Sequence, residues 1–140
     1  MTYTRRDWCL LLSALTAGPG LAAETAALPS KVYRFEDLPV RRSNGNESRP
    51  LLAGALHNGN YLESHETLLA PGNMPHPPHH HLHEEMFLVR EGTIEATISG
   101  KSTRVGPGSV VFVASNVEHG IRNVGSGPAQ YFVIAFGKDA

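Results

Sequence analysis

The chain has 140 residues, long enough for one domain with its own core and too short for two. With 12 Lys and Arg against 13 Asp and Glu its net charge is −1, which leaves no electrostatic footprint for nucleic acid or an anionic membrane surface. At 41% hydrophobic and 18% charged it is ordinary globular material, and 14 Gly with 10 Pro favour turns and short strands over long helices.

Residues 1–27 read as an export signal. Arg5 and Arg6 are a positive start, and Trp8–Ala17 is apolar but too short to cross a hydrocarbon layer of roughly 30 Å as a helix. Small residues follow, with cleavage expected after Ala22, Ala23 or Ala27. The run Thr4-Arg5-Arg6-Asp7-Trp8-Cys9-Leu10 resembles the twin-arginine export signal and departs from it at Trp8 and Cys9. A general secretory signal that happens to hold two arginines fits the same residues. Either way the mature protein is expected in the periplasm or outside the cell. Arg6-Asp7-Trp8 is not a lipoprotein site, so no membrane attachment is expected after cleavage. Cys9 is the single cysteine and leaves with the signal, so the domain over residues 28–140 has neither a disulfide nor a thiolate ligand.

From Lys31 the chain reads as strands. Lys31–Phe35 is a short aromatic one, ended by Asp37-Leu38-Pro39, and residues 41–50, rich in Arg, Ser, Asn and Gly, read as a polar loop. Leu51–Leu56 and Tyr61–Ala70 flank the turn Asn58-Gly59-Asn60. Glu85–Glu91 and Thr93–Ser99 flank Gly92, and Ile94, Ala96 and Ile98 alternate with Glu95 and Thr97 as one buried face and one wet one. Ser102–Val105, Ser109–Ala114, Glu118–Val124 and Gln130–Phe136 complete the set, separated by Gly and Pro corners. No helical period stands out beyond the signal. The expected fold class is all-β, a single-domain sandwich or barrel.

Between two such strands lies Pro75-His76-Pro77-Pro78-His79-His80-His81-Leu82-His83-Glu84-Glu85, five of the 8 histidines beside two carboxylates. Imidazole and carboxylate are the donors a first-row divalent ion prefers. On an extended strand His79 and His81 share a face, and Glu85 shares it if the strand runs on unbroken. A metal-free polar cluster would use the same residues. His80 is expected to face solvent, His76 to be a loop residue, and His83 to sit at the rim as a supporting group, a proton carrier or an exposed side chain. No His-Glu-x-x-His occurs, and Pro75, Pro77 and Pro78 forbid a zinc-peptidase helix.

These residues resemble the cupin superfamily. Its first motif is Gly, five residues, His-x-His, three or four residues, Glu, six residues, Gly. His79, His81, Glu85 and Gly92 fit it, with Gly72 one residue too far upstream. Its second motif is Gly, five residues, Pro-x-Gly, two residues, His, three residues, Asn. Gly108, His119 and Asn123 match, while Ala114 stands for Pro and Asn116 for Gly, and Asn tolerates the left-handed turn that position asks for. The resemblance implies a double-stranded β-helix (jelly roll, the cupin barrel) and four metal ligands: His79, His81, Glu85 and His119. The ion implied is a divalent transition metal, with Fe, Mn, Ni, Co, Cu and Zn all open. Strand parity then turns His119, Ile121 and Asn123 inward and Arg122 outward, and likewise Glu85, Phe87 and Val89 inward. Asn123 is expected to be a structural hydrogen-bonding residue. His65 and Thr67 share a face that would look into the cavity, and with His83, Phe87, Phe112 and Tyr131 they form the expected substrate pocket. Met86 and Leu88 on the opposite face point to a cover, and the resemblance implies a homodimer.

The implied function is a metal-dependent enzyme acting on an exported small molecule, a dioxygenase first, in which Glu85 would serve as base once released from the metal. The alternatives are a non-catalytic module that binds a small molecule or metal ion, and an isomerase or lyase that uses the ion only to polarise an oxygen. A second cavity group poised for proton transfer discriminates them; an aliphatic lining would favour binding alone.

Overall fold

The computed structural model describes residues 26–137, so the signal expected over residues 1–27 lies outside the described residues except for its last two. A single 3₁₀ turn at Phe35–Asp37 precedes nine strands: β1 Arg41–Ser43, β2 Asn46–Ala55, β3 Tyr61–Leu69, β4 Glu84–Glu91, β5 Ile94–Ile98, β6 Lys101–Val105, β7 Val110–Val113, β8 His119–Asn123 and β9 Ala129–Gly137. They pair antiparallel in two sheets, β1-β2-β3-β9-β4-β7 and β6-β5-β8. The fold class is the expected one, an all-β jelly roll. Among the described residues no helix is long and apolar enough to cross a membrane.

Strand period decides what each sheet buries. On β9, Ala129, Tyr131, Val133 and Ala135 are buried and the residues between them are not. The same alternation on β4 buries Phe87 and Val89, and on β8 it buries His119, Ile121 and Asn123 while leaving Arg122 exposed. Ile94, Ala96 and Ile121 of the small sheet meet Leu69, Phe87 and Tyr131 of the large one in a single core. Asn123 is fully buried in it and fully bonded. Its Nδ2 donates to the carbonyls of Leu69 (2.9 Å) and Gly127 (2.9 Å), and its Oδ1 accepts from the Gly125 amide (2.9 Å).

Three expectations need correcting. Residues 41–50 are not a loop but the β1–β2 hairpin, in register from Arg41↔Ser48 to Ser43↔Asn46. Its turn is Asn44-Gly45, both at positive φ (52° and 79°), the pair that a two-residue hairpin favours. Polarity misled the reading because β1 is an edge strand exposed along its whole length. Lys31–Phe35 is not a strand, since no ladder pairs it. Phe35 lies instead under the guanidinium groups of Arg49 (4.6 Å) and Arg90 (5.6 Å). Those two arginines flank Glu66, which is 2% exposed on the outer side of β3, at 3.7 Å and 3.1 Å. A carboxylate buried that deeply persists only with such partners. Finally, the unbroken strand on which Glu85 would share the face of His79 and His81 is not there, since bends at Leu82 and His83 precede β4.

The outer face of the large sheet is apolar as well. Met86 stands opposite Phe112 and Ile134 in the ladder, and Val110 and Phe112 are 56% and 51% exposed. Phe112 was expected to line the pocket. It points out of the barrel because Val111 and Val113 take the inward positions of β7, and its ring lies 6.3 Å from Phe136.

Gly92 turns β4 into β5 at φ 79°, where an added Cβ would lie 2.5 Å from the Pro128 carbonyl oxygen and 2.7 Å from Ala129 Cα. Gly92→Ala therefore combines left-handed strain with a backbone clash. It is expected to cost about 3 kcal/mol, read as a lower denaturant midpoint at unchanged m-value. A midpoint within experimental error of the parent would refute the close approach.

Candidate metal centre

The segment before β4 is an arm laid along β8. The Gly72 amide donates to Asn123 O (3.0 Å) and the Asn123 amide to Asn73 O (2.9 Å) at one end. Further along, His79 and His119 exchange both backbone hydrogen bonds (3.0 and 2.9 Å), and the Asn116 amide donates to His81 O (2.8 Å). Between these pairings stand Pro75, Pro77 and Pro78, which have no amide hydrogen to give, so the arm bends over residues 75–78 and forms no continuous ladder. Asn116 takes φ 61°, the left-handed corner that aims the chain into β8.

This pairing brings all four expected ligands to one place. Glu85 Oε2 lies 3.1 Å from His119 Nε2 and 3.3 Å from His81 Nε2. The donor atoms of His79, His81 and His119 lie within 4.8 Å of one another, and those of His81, His83 and Glu85 form a second such group. Backbone carbonyls fix the tautomers. His119 Nδ1 sits 2.9 Å from Val117 O and His81 Nδ1 2.9 Å from His83 O; a carbonyl only accepts, so each Nδ1 carries the proton. Each Nε2 is then turned toward a carboxylate oxygen, His119 Nε2 within hydrogen-bond distance of Glu85 Oε2. A proton or a metal ion can fill the space between them, and Nδ1 held by a carbonyl with Nε2 turned to the site is the arrangement metal-bound histidines have. His79 Nδ1 and His81 Nε2 are buried and make no hydrogen bond, as expected of side chains kept for an ion. The residues therefore fit a divalent transition metal: a His-rich group, nitrogen and oxygen donors only.

The centre borders a cavity of about 550 Å³, whose wall includes Glu85, His119, Phe87 and Tyr131. Of the residues expected in the substrate pocket, His65, Thr67, Phe87 and Tyr131 line it, and Phe112 does not. His83 does not line it either. Its ring stacks on His81 (centroids 3.6 Å apart, planes at 11°), and its Nε2 is 3.5 Å from Glu85 Oε1. His80 is exposed, as expected. His76, read as a loop residue, is exposed but also lines the cavity, with its ring 4.2 Å from that of His79. Two features escaped the sequence reading. The β1–β2 hairpin supplies Arg41, Arg42 and Asn46 to the wall, hidden by the loop assignment. Glu63 holds His65 through Nδ1 at 3.0 Å, and its even spacing on one strand was the available signal. Burial raises the Tyr131 phenol above its ordinary pKa; Thr67, opposite it in the ladder, offsets this in part, and the charge of Glu85 adds to the rise.

The cupin domain family model matches residues 65–135. No curated protein sequence matches the chain. Among solved structures, an RmlC-like cupin from Shewanella frigidimarina is 20% identical, with TM-score 0.64 over 77% of this chain and 92% of that one. A predicted oxalate decarboxylase from Thermotoga maritima is 20% identical, with TM-score 0.66 over 76% and 99%. The polyketide cyclase RemF from Streptomyces resistomycificus is 20% identical, with TM-score 0.60 over 77% and 79%. At such identity the likeness is one of fold.

Burial, then the neighbouring rings of His76, His119 and His81, lower the pKa of His79 from 6.5 to about 4, with Glu85 opposing. The sign for stability follows. The unfolded chain takes up this proton near 6.5 and the folded chain only near 4, so the metal-free protein loses stability as pH falls across that window. The thermal midpoint of metal-free protein should drop over that range, and His79→Asn should flatten the drop. Parallel curves for the two proteins would show that His79 is not its source.

Proposed function

The chain belongs to the cupin domain family, and from that premise we propose that it is a metal-dependent enzyme acting on a small molecule by acid–base chemistry, as an isomerase or lyase. One observation carries this reading: a single cavity has Glu85 and His119 in its wall together with His65, whose Nδ1 is held by Glu63. His79, His81, Glu85 and His119 would hold the ion. When bound, it would polarise a substrate oxygen as a Lewis acid. With Nδ1–H donated to Glu63, His65 keeps Nε2 free to accept a proton from substrate, and Glu63 stabilises the imidazolium that results. Tyr131, kept neutral by burial, is a hydrogen-bond donor inside the cavity, while Phe87, Leu69, Ile121 and Val133 exclude water from the bound molecule. A predicted oxalate decarboxylase and a polyketide cyclase share the fold, which is compatible with chemistry of this kind. The dioxygenase reading rests on the donor set, whose nitrogen and oxygen atoms would suit a redox-active ion as well as zinc. Glu85 would then be the base once it leaves the metal.

Elemental analysis should find a first-row divalent metal, lost from His81→Ala and His119→Ala with the fold retained. With a panel of small keto and hydroxy acids, the loaded protein should exchange a substrate C–H proton with deuterated solvent. His65→Ala should slow that exchange by roughly 10²–10⁴-fold while keeping its metal. Oxygen uptake with catechols, flavonols or keto acids, and no exchange, would put the dioxygenase reading in its place. Tight retention of one compound without turnover would make the protein a binding module.

We propose further that the protein works outside the cytoplasm after export, and that a second copy covers the outer face of the large sheet, around Val110, Phe112 and Phe136. Sedimentation should give a dimer that Phe112→Asp converts to monomer; a parent protein monomeric at tens of micromolar would overturn the pairing.

A further inference from the structure

The arm carries one more donor than the proposed centre uses. His83 stacks on His81, and its Nδ1 is buried without a hydrogen-bond partner. With His81 and Glu85 it forms the second group of donor atoms lying within 4.8 Å of one another. The two groups share His81, whose Nδ1 is committed to the His83 carbonyl, so only its Nε2 is free and one ion at a time can use it. They differ in depth. His119, which only the centre uses, is 2% exposed, whereas His83, which only the second group uses, is 19% exposed. They also differ in direction, because His119 lines the cavity and His83 does not.

We propose that His81, His83 and Glu85 form an entry position where a divalent transition-metal ion is captured before it settles among His79, His81, His119 and Glu85. His81 and Glu85 stay bound throughout, and His83 is exchanged for His79 and His119. The ion is never without protein donors, and no covalent or redox change is involved. Glu85 can serve both positions because its two oxygens face different ways, Oε2 toward His119 and Oε1 toward His83. The ion thus arrives from the arm and the substrate through the cavity. This inference rests on the metal-centre reading above and adds a kinetic role that the reading does not contain.

The test follows Co(II) uptake by the purified protein in a stopped-flow spectrometer, and Co(II) removal by excess chelator. Three proteins are compared: the parent, His83→Ala, and His80→Ala as an exposed neighbour. An entry ligand speeds loading and unloading alike and leaves the equilibrium alone. His83→Ala should therefore slow both by about tenfold while its dissociation constant stays within about threefold and its Co(II) absorption spectrum is unchanged. His80→Ala should match the parent. His83→Gln, which keeps bulk and a weaker oxygen donor, should recover part of the rate and replaces the alanine variant should that one not fold. Unchanged rates in His83→Ala would overturn the entry position while leaving the centre standing. A loss of affinity of about 10–100-fold with an altered spectrum would also overturn it, by making His83 a permanent ligand. A parent protein that binds no Co(II) would overturn the centre itself.

Discussion

The structure depends on a small volume in which imidazole nitrogens converge on a carboxylate oxygen. His81 and His119 each give their Nδ1 proton to a backbone carbonyl, and their Nε2 atoms converge on Glu85 Oε2 at 3.3 and 3.1 Å. A proton or a metal ion between them satisfies such groups, and in a semi-buried setting that attraction is poorly screened. What brings them within reach is backbone pairing. The two-way exchange between His79 and His119 and the Asn116–His81 bond fix the arm against β8 whatever the side chains prefer. The fold spends main-chain hydrogen bonds, which are indifferent to sequence, on presenting these side chains to one another.

Much of the architecture was legible because strand parity is a strict rule with two outcomes. The inward placement of Phe87 and Val89, and of His119, Ile121 and Asn123 with Arg122 outside, follows from counting by two along strands flanked by glycine corners. Asn116 could be assigned a left-handed corner because few residues besides glycine adopt one, and it does. The failures share a cause, which is that hydrophobicity was read as direction. Phe112 is aromatic yet faces outward, because the neighbours on β7 fill the interior. Residues 41–50 are polar yet form a hairpin, because β1 is an exposed edge strand and the polar Arg41, Arg42 and Asn46 line the cavity wall. The Asn44-Gly45 pair carried the correct signal and was outweighed by composition.

The pairing of Glu66 with Arg49 and Arg90 could not be read from the sequence at all. Its members are 17 and 24 residues apart and belong to three strands, and only the sheet order makes them neighbours. Glu63 and His65 are the opposite case: a pair two residues apart on one strand, visible to parity once a role for His65 was being sought. Local pairs leave a trace in spacing, whereas long-range pairs leave none until topology is known.

The three prolines of the arm have a thermodynamic consequence. Each fixes one backbone torsion and narrows the torsions of the residue before it, so the unfolded segment has fewer conformations to give up on folding. The disorder that a flexible loop would surrender when chelating an ion has here been surrendered largely during synthesis of the chain itself, in its covalent rings. Affinity for an ion would then report on the donors with little subtraction for ordering.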